Sequence, residues 1–139
     1  MARVSESARL YVPAERVWDK IGEFGSLADW HPAVLGCELA TQDGRTVRKL
    51  DVGEESPVVE RLDVHDPNAM RYEYSLVRGA LPVRDYRAVL RVHPDDANSC
   101  TVEWNSEFQP ASDEPSEAVE SVRKLYRTGL EYLRFILAG

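Results

Sequence analysis

The sequence predicts an α+β fold: a seven-stranded antiparallel sheet wrapped around a long C-terminal helix, with two short helices after the first strand. Three observations carry this. Ser112 to Gly139 reads as one long amphipathic helix. Cys37 to Phe108 reads as strand, turn, strand throughout. Ahead of both, Arg3 to Val12 alternates with period two and gives way to a short 3.6-residue pattern. A single helix that follows an antiparallel run must lay its apolar stripe across that sheet. A curved sheet around one helix leaves a space between them, and that space is where function is expected.

In the first strand, Val4, Ala8, Leu10 and Val12 share one face, and Ser5, Ser7, Arg9 and Tyr11 the other. Pro13 suits a first helical position, having no N–H to leave unpaired. Ala14, Val17, Trp18 and Ile21 then fall on one helical face, ended by Gly22 and Gly25. Ser26 is placed to cap a further turn, Leu27 to Trp30, stopped at Pro32. Ala33 to Thr41 is the next strand, and Asp43-Gly44 is a hairpin signal. Arg45 to Val52 returns, and Gly53 to Pro57 turns the chain again. Val58 to His65 and Ala69 to Val77 are strands around an Asp66-Pro67-Asn68 turn. After the break at Gly79 to Pro82 come Arg84 to His93, a turn at Pro94 to Asn98, and Ser99 to Phe108. Short connections make this an antiparallel meander.

Pro110 to Pro115 leads into the terminal helix, about 22 residues and roughly 33 Å long at 1.5 Å per residue. Its stripe is Val119, Val122, Leu125 or Tyr126, Gly129, Leu133 and Ile136. Glu117, Glu120, Arg123, Lys124, Arg127, Glu131 and Arg134 line the opposite face. Gly129 inside a helix costs about 1 kcal/mol relative to alanine. On the apolar face it signals a close approach to the sheet, or room for something between.

With 139 residues and 43% hydrophobic content, the chain suits one domain, 1–139, with a real core. A net charge of -7 argues against nucleic acid or an anionic membrane as the main partner, since both call for a basic face. Cys37 and Cys100 are too few and too far apart for a zinc motif. His31, His65 and His93 offer no local chelate, so no metal is expected. Phosphate loops, dinucleotide fingerprints and nucleophile elbows are absent from the sequence, and no cofactor is expected. No secretory h-region and no membrane-length apolar run appear, so the expectation is a cytoplasmic protein without membrane insertion, monomer or homodimer.

The candidate ligand-binding residues are Trp30, His31, Glu60, Tyr74, Tyr86, Trp104, Val122, Tyr126 and Gly129. His31, between Trp30 and Pro32, is placed to donate to a ligand oxygen or to act as a general base. Its other reading is a ring packed on Trp30 and bonded to a backbone carbonyl. Glu60 shares its strand face with apolar Leu62 and Val64, where a carboxylate is costly unless paired or wet. It is a polar anchor facing the cavity, a solvated edge carboxylate, or the partner of Arg48 or Arg71 from a neighbouring strand. Tyr74, Tyr86 and Trp104 present apolar bodies with one polar tip, which suits a ligand pocket; for Trp104 plain core filling is the competing reading. His31 and Glu60 are the catalytic candidates, should there be catalysis.

Several pieces stand in a recognisable order: Val12-Pro13-Ala14-Glu15-Arg16-Val17-Trp18, Trp30-His31-Pro32, Val59-Glu60-Arg61-Leu62, the Asp66 turn, Tyr72-x-Tyr74, Pro82, Tyr86-x-Ala88, Val102-Glu103-Trp104 and Phe108-x-Pro110. Together they resemble the polyketide cyclase/dehydrase group of the START-like (Bet v 1-like, SRPBCC) superfamily. The resemblance implies a helix-grip fold with a pocket between sheet and helix. Its members bind lipids, sterols, polyketides, hormones or aromatic metabolites, and a minority are enzymes. Against the plant abscisic acid receptors of that superfamily, His31, Glu60 and Tyr86 match pocket positions. His31 replaces their lysine, however, and Leu81-Pro82-Val83 replaces their histidine-bearing latch, so hormone sensing is not implied.

Two functions of different class follow as expectations. The first is binding of a hydrophobic or amphipathic small molecule (a lipid, polyketide or aromatic metabolite) in a cavity of roughly 300–1,000 Å³. The alternative is a cyclase/dehydrase-type enzyme using His31 and Glu60 or a tyrosine as acid and base. The discriminator is the distance between the His31 ring and the Glu60 carboxylate: both pointing into one enclosed cavity favours the enzyme, and an enclosed cavity with a single polar group favours the carrier.

Overall fold

A computed structural model describes residues 1–138. Seven strands, β1 (Ala2–Leu10), β2 (Gly36–Gln42), β3 (Arg45–Asp51), β4 (Val58–Asp66), β5 (Arg71–Arg78), β6 (Val83–Asp96) and β7 (Ser99–Pro110), form one sheet. Two short helices, α1 (Ala14–Ile21) and α2 (Leu27–Trp30), follow β1, and α3 (Pro115–Leu137) closes the chain. The strand order is β1-β7-β6-β5-β4-β3-β2, all antiparallel. This is the helix-grip fold. Every neighbour but one is a hairpin. The exception sets Ala2 opposite Phe108 and Leu10 opposite Cys100.

The alternation read in β1 holds, with Val4, Ala8 and Leu10 buried between exposed neighbours. The second strand starts at Gly36 rather than Ala33, because His31 to Leu35 is held otherwise. Val34 N–H donates to His31 O, and Leu35 N–H donates to Asp51 O. The sixth strand runs on to Asp96, carrying Pro94 opposite Cys100 near its end. The terminal helix has 23 residues and takes Pro115 in its first turn; the part of the predicted helix at Gly139 lies outside the described residues. Its buried face is Ala118, Val122, Tyr126, Gly129, Leu130, Leu133 and Leu137. Tyr126 rather than Leu125 therefore sits on the core stripe, and Val119 and Ile136 flank it half-buried.

One local departure matters for the site. The pairing of β4 with β5 shifts register between Val59 and Glu60 and again between Leu62 and Val64. A bulge resets which face a strand residue occupies. Glu60 is buried as its apolar neighbours required, but Val64 is 38% exposed and no longer shares its face. His65 turns toward the first helix instead, 6.1 Å from the Trp18 ring, with Nε2 3.0 Å from Gly22 O.

Candidate ligand pocket

Between α3 and strands β3 to β5 lies a cavity of about 360 Å³. Leu27, Val34, Leu50, Val52, Val58, Leu76, Leu81, Pro82 and Leu125 supply most of its wall. Its exposed wall residues, Ala33, Glu54, Gly79, Ala80 and Ser121, mark the mouth, formed by the β3–β4 and β5–β6 connections, the segment after α2, and α3. A broader groove of about 670 Å³ crosses the outer face of the sheet. That groove is lined by Arg3, Arg45, Arg61 and Arg87, whose charges are matched by Asp63 and Glu107. The inner cavity has the apolar walls and few polar groups that small-molecule sites require.

Of the sequence candidates, His31, Glu60, Tyr74 and Trp104 border the cavity. Trp30, Tyr86, Val122, Tyr126 and Gly129 do not border it. They are buried behind that layer, in the core. The wall contributed by Gly79 to Pro82 and by Glu54 read in the sequence only as breaks and turns, and was not among the candidates.

His31 is 1% exposed and bonded through both ring nitrogens. Ala33 N–H donates to Nδ1 at 3.1 Å, so the proton resides on Nε2, which donates to Leu125 O at 2.8 Å. Burial lowers its pKa, and the bond to Leu125 only partly offsets this, so the ring is neutral. The ring stands edge-on to Trp104, with centroids 6.0 Å apart. It also explains Gly129: a Cβ there would lie 2.5 Å from His31 Cδ2 and 3.1 Å from Trp104 Cζ3. The glycine makes room for the imidazole against the helix backbone.

Glu60 pairs with Arg48, directly opposite it across β3 and β4. Arg71, the other candidate partner, bonds Glu73. Arg48 is fully buried. Its Nε donates to Glu60 Oε1 at 2.8 Å, and one terminal nitrogen donates to Phe24 O at 3.0 Å and Tyr72 Oη at 3.2 Å. The other terminal nitrogen is 2.8 Å from the same Oε1, although its N–H bonds are not aligned on an acceptor. Aromatic rings surround the guanidinium, with Cζ 4.0 Å from the Phe24 centroid, 4.7 Å from Tyr74 and 5.5 Å from Tyr72. Such desolvated contacts are worth about 2 kcal/mol each. Burial pushes the Glu60 carboxyl above its ordinary pKa, while the Arg48 charge works in the opposite direction. Both contacts fall on Oε1; among the described residues, none donates to Oε2.

The tyrosines satisfy one another. Trp104 Nε1–H donates to Tyr74 Oη at 2.9 Å. Tyr86 and Tyr126 share a hydrogen bond through their hydroxyls, and Tyr126 also meets Tyr74. Trp104 stacks on Tyr126 with centroids 4.3 Å apart. Burial raises the pKa of Tyr74 and Tyr86 far above the usual phenol value, so both remain protonated.

Over residues 1–135 the chain matches the family described as polyketide cyclase / dehydrase and lipid transport. The chain belongs to that family. Among solved structures it is similar to the protein XoxI from Bacillus cereus, at 32% identity and a TM-score of 0.92, covering 99% of this chain and 96% of that one. It also shares its fold with the Zhui aromatase/cyclase from Streptomyces sp. R1128, at 21% identity and a TM-score of 0.79, covering 99% and 93%. Norcoclaurine synthase from Thalictrum flavum, solved with dopamine and hydroxybenzaldehyde, superposes at 17% identity and a TM-score of 0.74, covering 99% and 86%. No curated relative matches the chain. Among the described residues, no helix is long and apolar enough to cross a membrane, and no group of three or more His, Cys, Asp or Glu is arranged to hold a metal ion.

Proposed function

We propose that this polyketide cyclase/dehydrase family member binds a small, largely apolar molecule in the cavity between α3 and the sheet, and that it works as a binding protein rather than a catalyst. One observation carries the choice. Both nitrogens of His31 are engaged by the backbone, which leaves the ring no atom with which to take a proton from a ligand. His31 and Glu60 both border the cavity, the placement that favours an enzyme, but an acid–base pair needs two groups free to exchange protons, and of these two only Glu60 is free. Affinity then derives mainly from apolar burial, at about 25 cal/mol per Å², with Glu60 setting orientation.

The test begins with native mass spectrometry of the purified protein, to find a co-purifying molecule. Its affinity is then measured by calorimetry for the wild type and for Leu81→Trp, which places an indole at the mouth. The expected result is stoichiometric binding of an unchanged molecule, weakened at least tenfold in Leu81→Trp with the thermal midpoint retained. Chemical conversion of the molecule by the wild type, lost in His31→Ala while affinity persists, would overturn this reading in favour of the enzyme.

A further inference from the structure

The polar atoms of the cavity are unevenly distributed. Two carboxylates, Glu60 within and Glu54 at the mouth, belong to its wall; no lysine or arginine does. The nearest cation, Arg48, is fully buried behind Glu60 and turned onto Oε1, Phe24 O and Tyr72 Oη. His31 is occupied on both nitrogens, and the Trp104 indole N–H is taken by Tyr74. Tyr74 Oη accepts from Trp104 and meets Tyr126, and Ser121 and Glu54 lie out at the mouth. Inside, Oε2 of Glu60 is left. That side chain is 8% exposed and borders the cavity, and among the described residues none donates to this oxygen.

We propose that Glu60 Oε2 selects the ligand's head group, and that the bound molecule carries an uncharged hydroxyl, a phenol or an alcohol, at its inner end. The proposal rests on the binding reading above and narrows it. A carboxylate or phosphate at that point would meet like charge in a site of low dielectric, with no cation on the wall to match it. A ketone or ether would leave the lone pairs of Oε2 dry and unpaired. An ammonium would add a second positive charge beside the one that Glu60 already balances. A hydroxyl donates to Oε2 and adds no charge.

Three probes of one shape test this by fluorescence titration of the wild-type protein at neutral pH: 2-naphthol, 2-methoxynaphthalene and 2-naphthoate. The expected order is 2-naphthol tightest, by about ten- to a hundredfold over the methyl ether, the usual worth of a hydrogen bond to a charged group, with 2-naphthoate weakest. Equal affinity for all three would overturn the head-group inference while leaving the binding reading intact, and so would tighter binding of 2-naphthoate. Failure of every probe to bind would count against both. A variant adds an inversion. In Glu60→Gln the amide oxygen turns to Arg48 and the NH₂ faces the cavity, so preference should pass from 2-naphthol to 2-acetylnaphthalene. An unchanged preference for 2-naphthol in a folded Glu60→Gln would refute the role of Oε2. Should that variant not fold, the wild-type series alone decides.

Discussion

At position 129 the usual rule for glycine in a helix reverses. Alanine at an unconstrained helical glycine stabilises by about 1 kcal/mol, but here the added methyl would press on the His31 ring and Trp104. Gly129→Ala is therefore expected to destabilise by about 1–3 kcal/mol, the usual cost of overpacking. Urea denaturation measures it, and a stabilised variant would contradict the packing described. His31 itself gives a pH signature. Its folded-state pKa lies below the ordinary 6.5, so the unfolded chain takes up the proton first. The stability that neutral His31 contributes is fully present above about pH 6.5. It declines as pH falls from there toward the lower folded value. The stability advantage of the wild type over His31→Asn should shrink across that window, a comparison that cancels groups common to both. An advantage that grows on acidification would be inconsistent with a buried neutral ring. In the sequence, Trp30-His31-Pro32 marked this residue for attention. It did not reveal that one nitrogen meets a carbonyl 94 positions away, since tertiary partners leave no local pattern.

Strands β3 and β4 carry the energetic centre of the site as a cross-strand pair. Arg48 and Glu60 are directly opposed and both buried. Removing one member strands the other's charge, which typically costs about 3–5 kcal/mol. Arg48→Met alone should fall in that range. Arg48→Met with Glu60→Leu should cost much less than the two single changes summed, because the pair leaves together. A double-mutant cycle by chemical denaturation checks this, and strict additivity would show the pair to be uncoupled. The apolar face around Glu60 made a partner foreseeable, and Arg48 was one of two choices. The register decided between them: Arg71 lies opposite Asp66 and bonds Glu73. The bulge in β4 was not foreseeable, because period-two alternation continues through Leu62 and Val64 in the sequence while the pairing with β5 leaves Asp63 as an extra residue. The same limit separates Tyr74 from Tyr86. Both are inward on their strands and both buried, yet only Tyr74 borders the cavity, since depth behind a wall depends on what packs in front.

For the whole molecule, the element order, the seven strands and the gripping helix were legible because each rests on a long periodic pattern. The cavity was legible only as an expectation of space between curved sheet and helix. Its walls come partly from loops, whose residues are placed by the ends of the elements they join. The pairing of the first strand with the last, β1 beside β7, has a consequence for how the chain reaches this state. The apolar face of Val4, Ala8 and Leu10 is translated first, yet its strand partner runs from Ser99 to Pro110. During synthesis that segment must wait, sticky and unpaired, while some ninety residues of meander are made. Closure then joins distant parts of the chain, a slow class of event relative to hairpin formation. The interval before β7 emerges is when this protein is most exposed to aggregation and most dependent on being shielded.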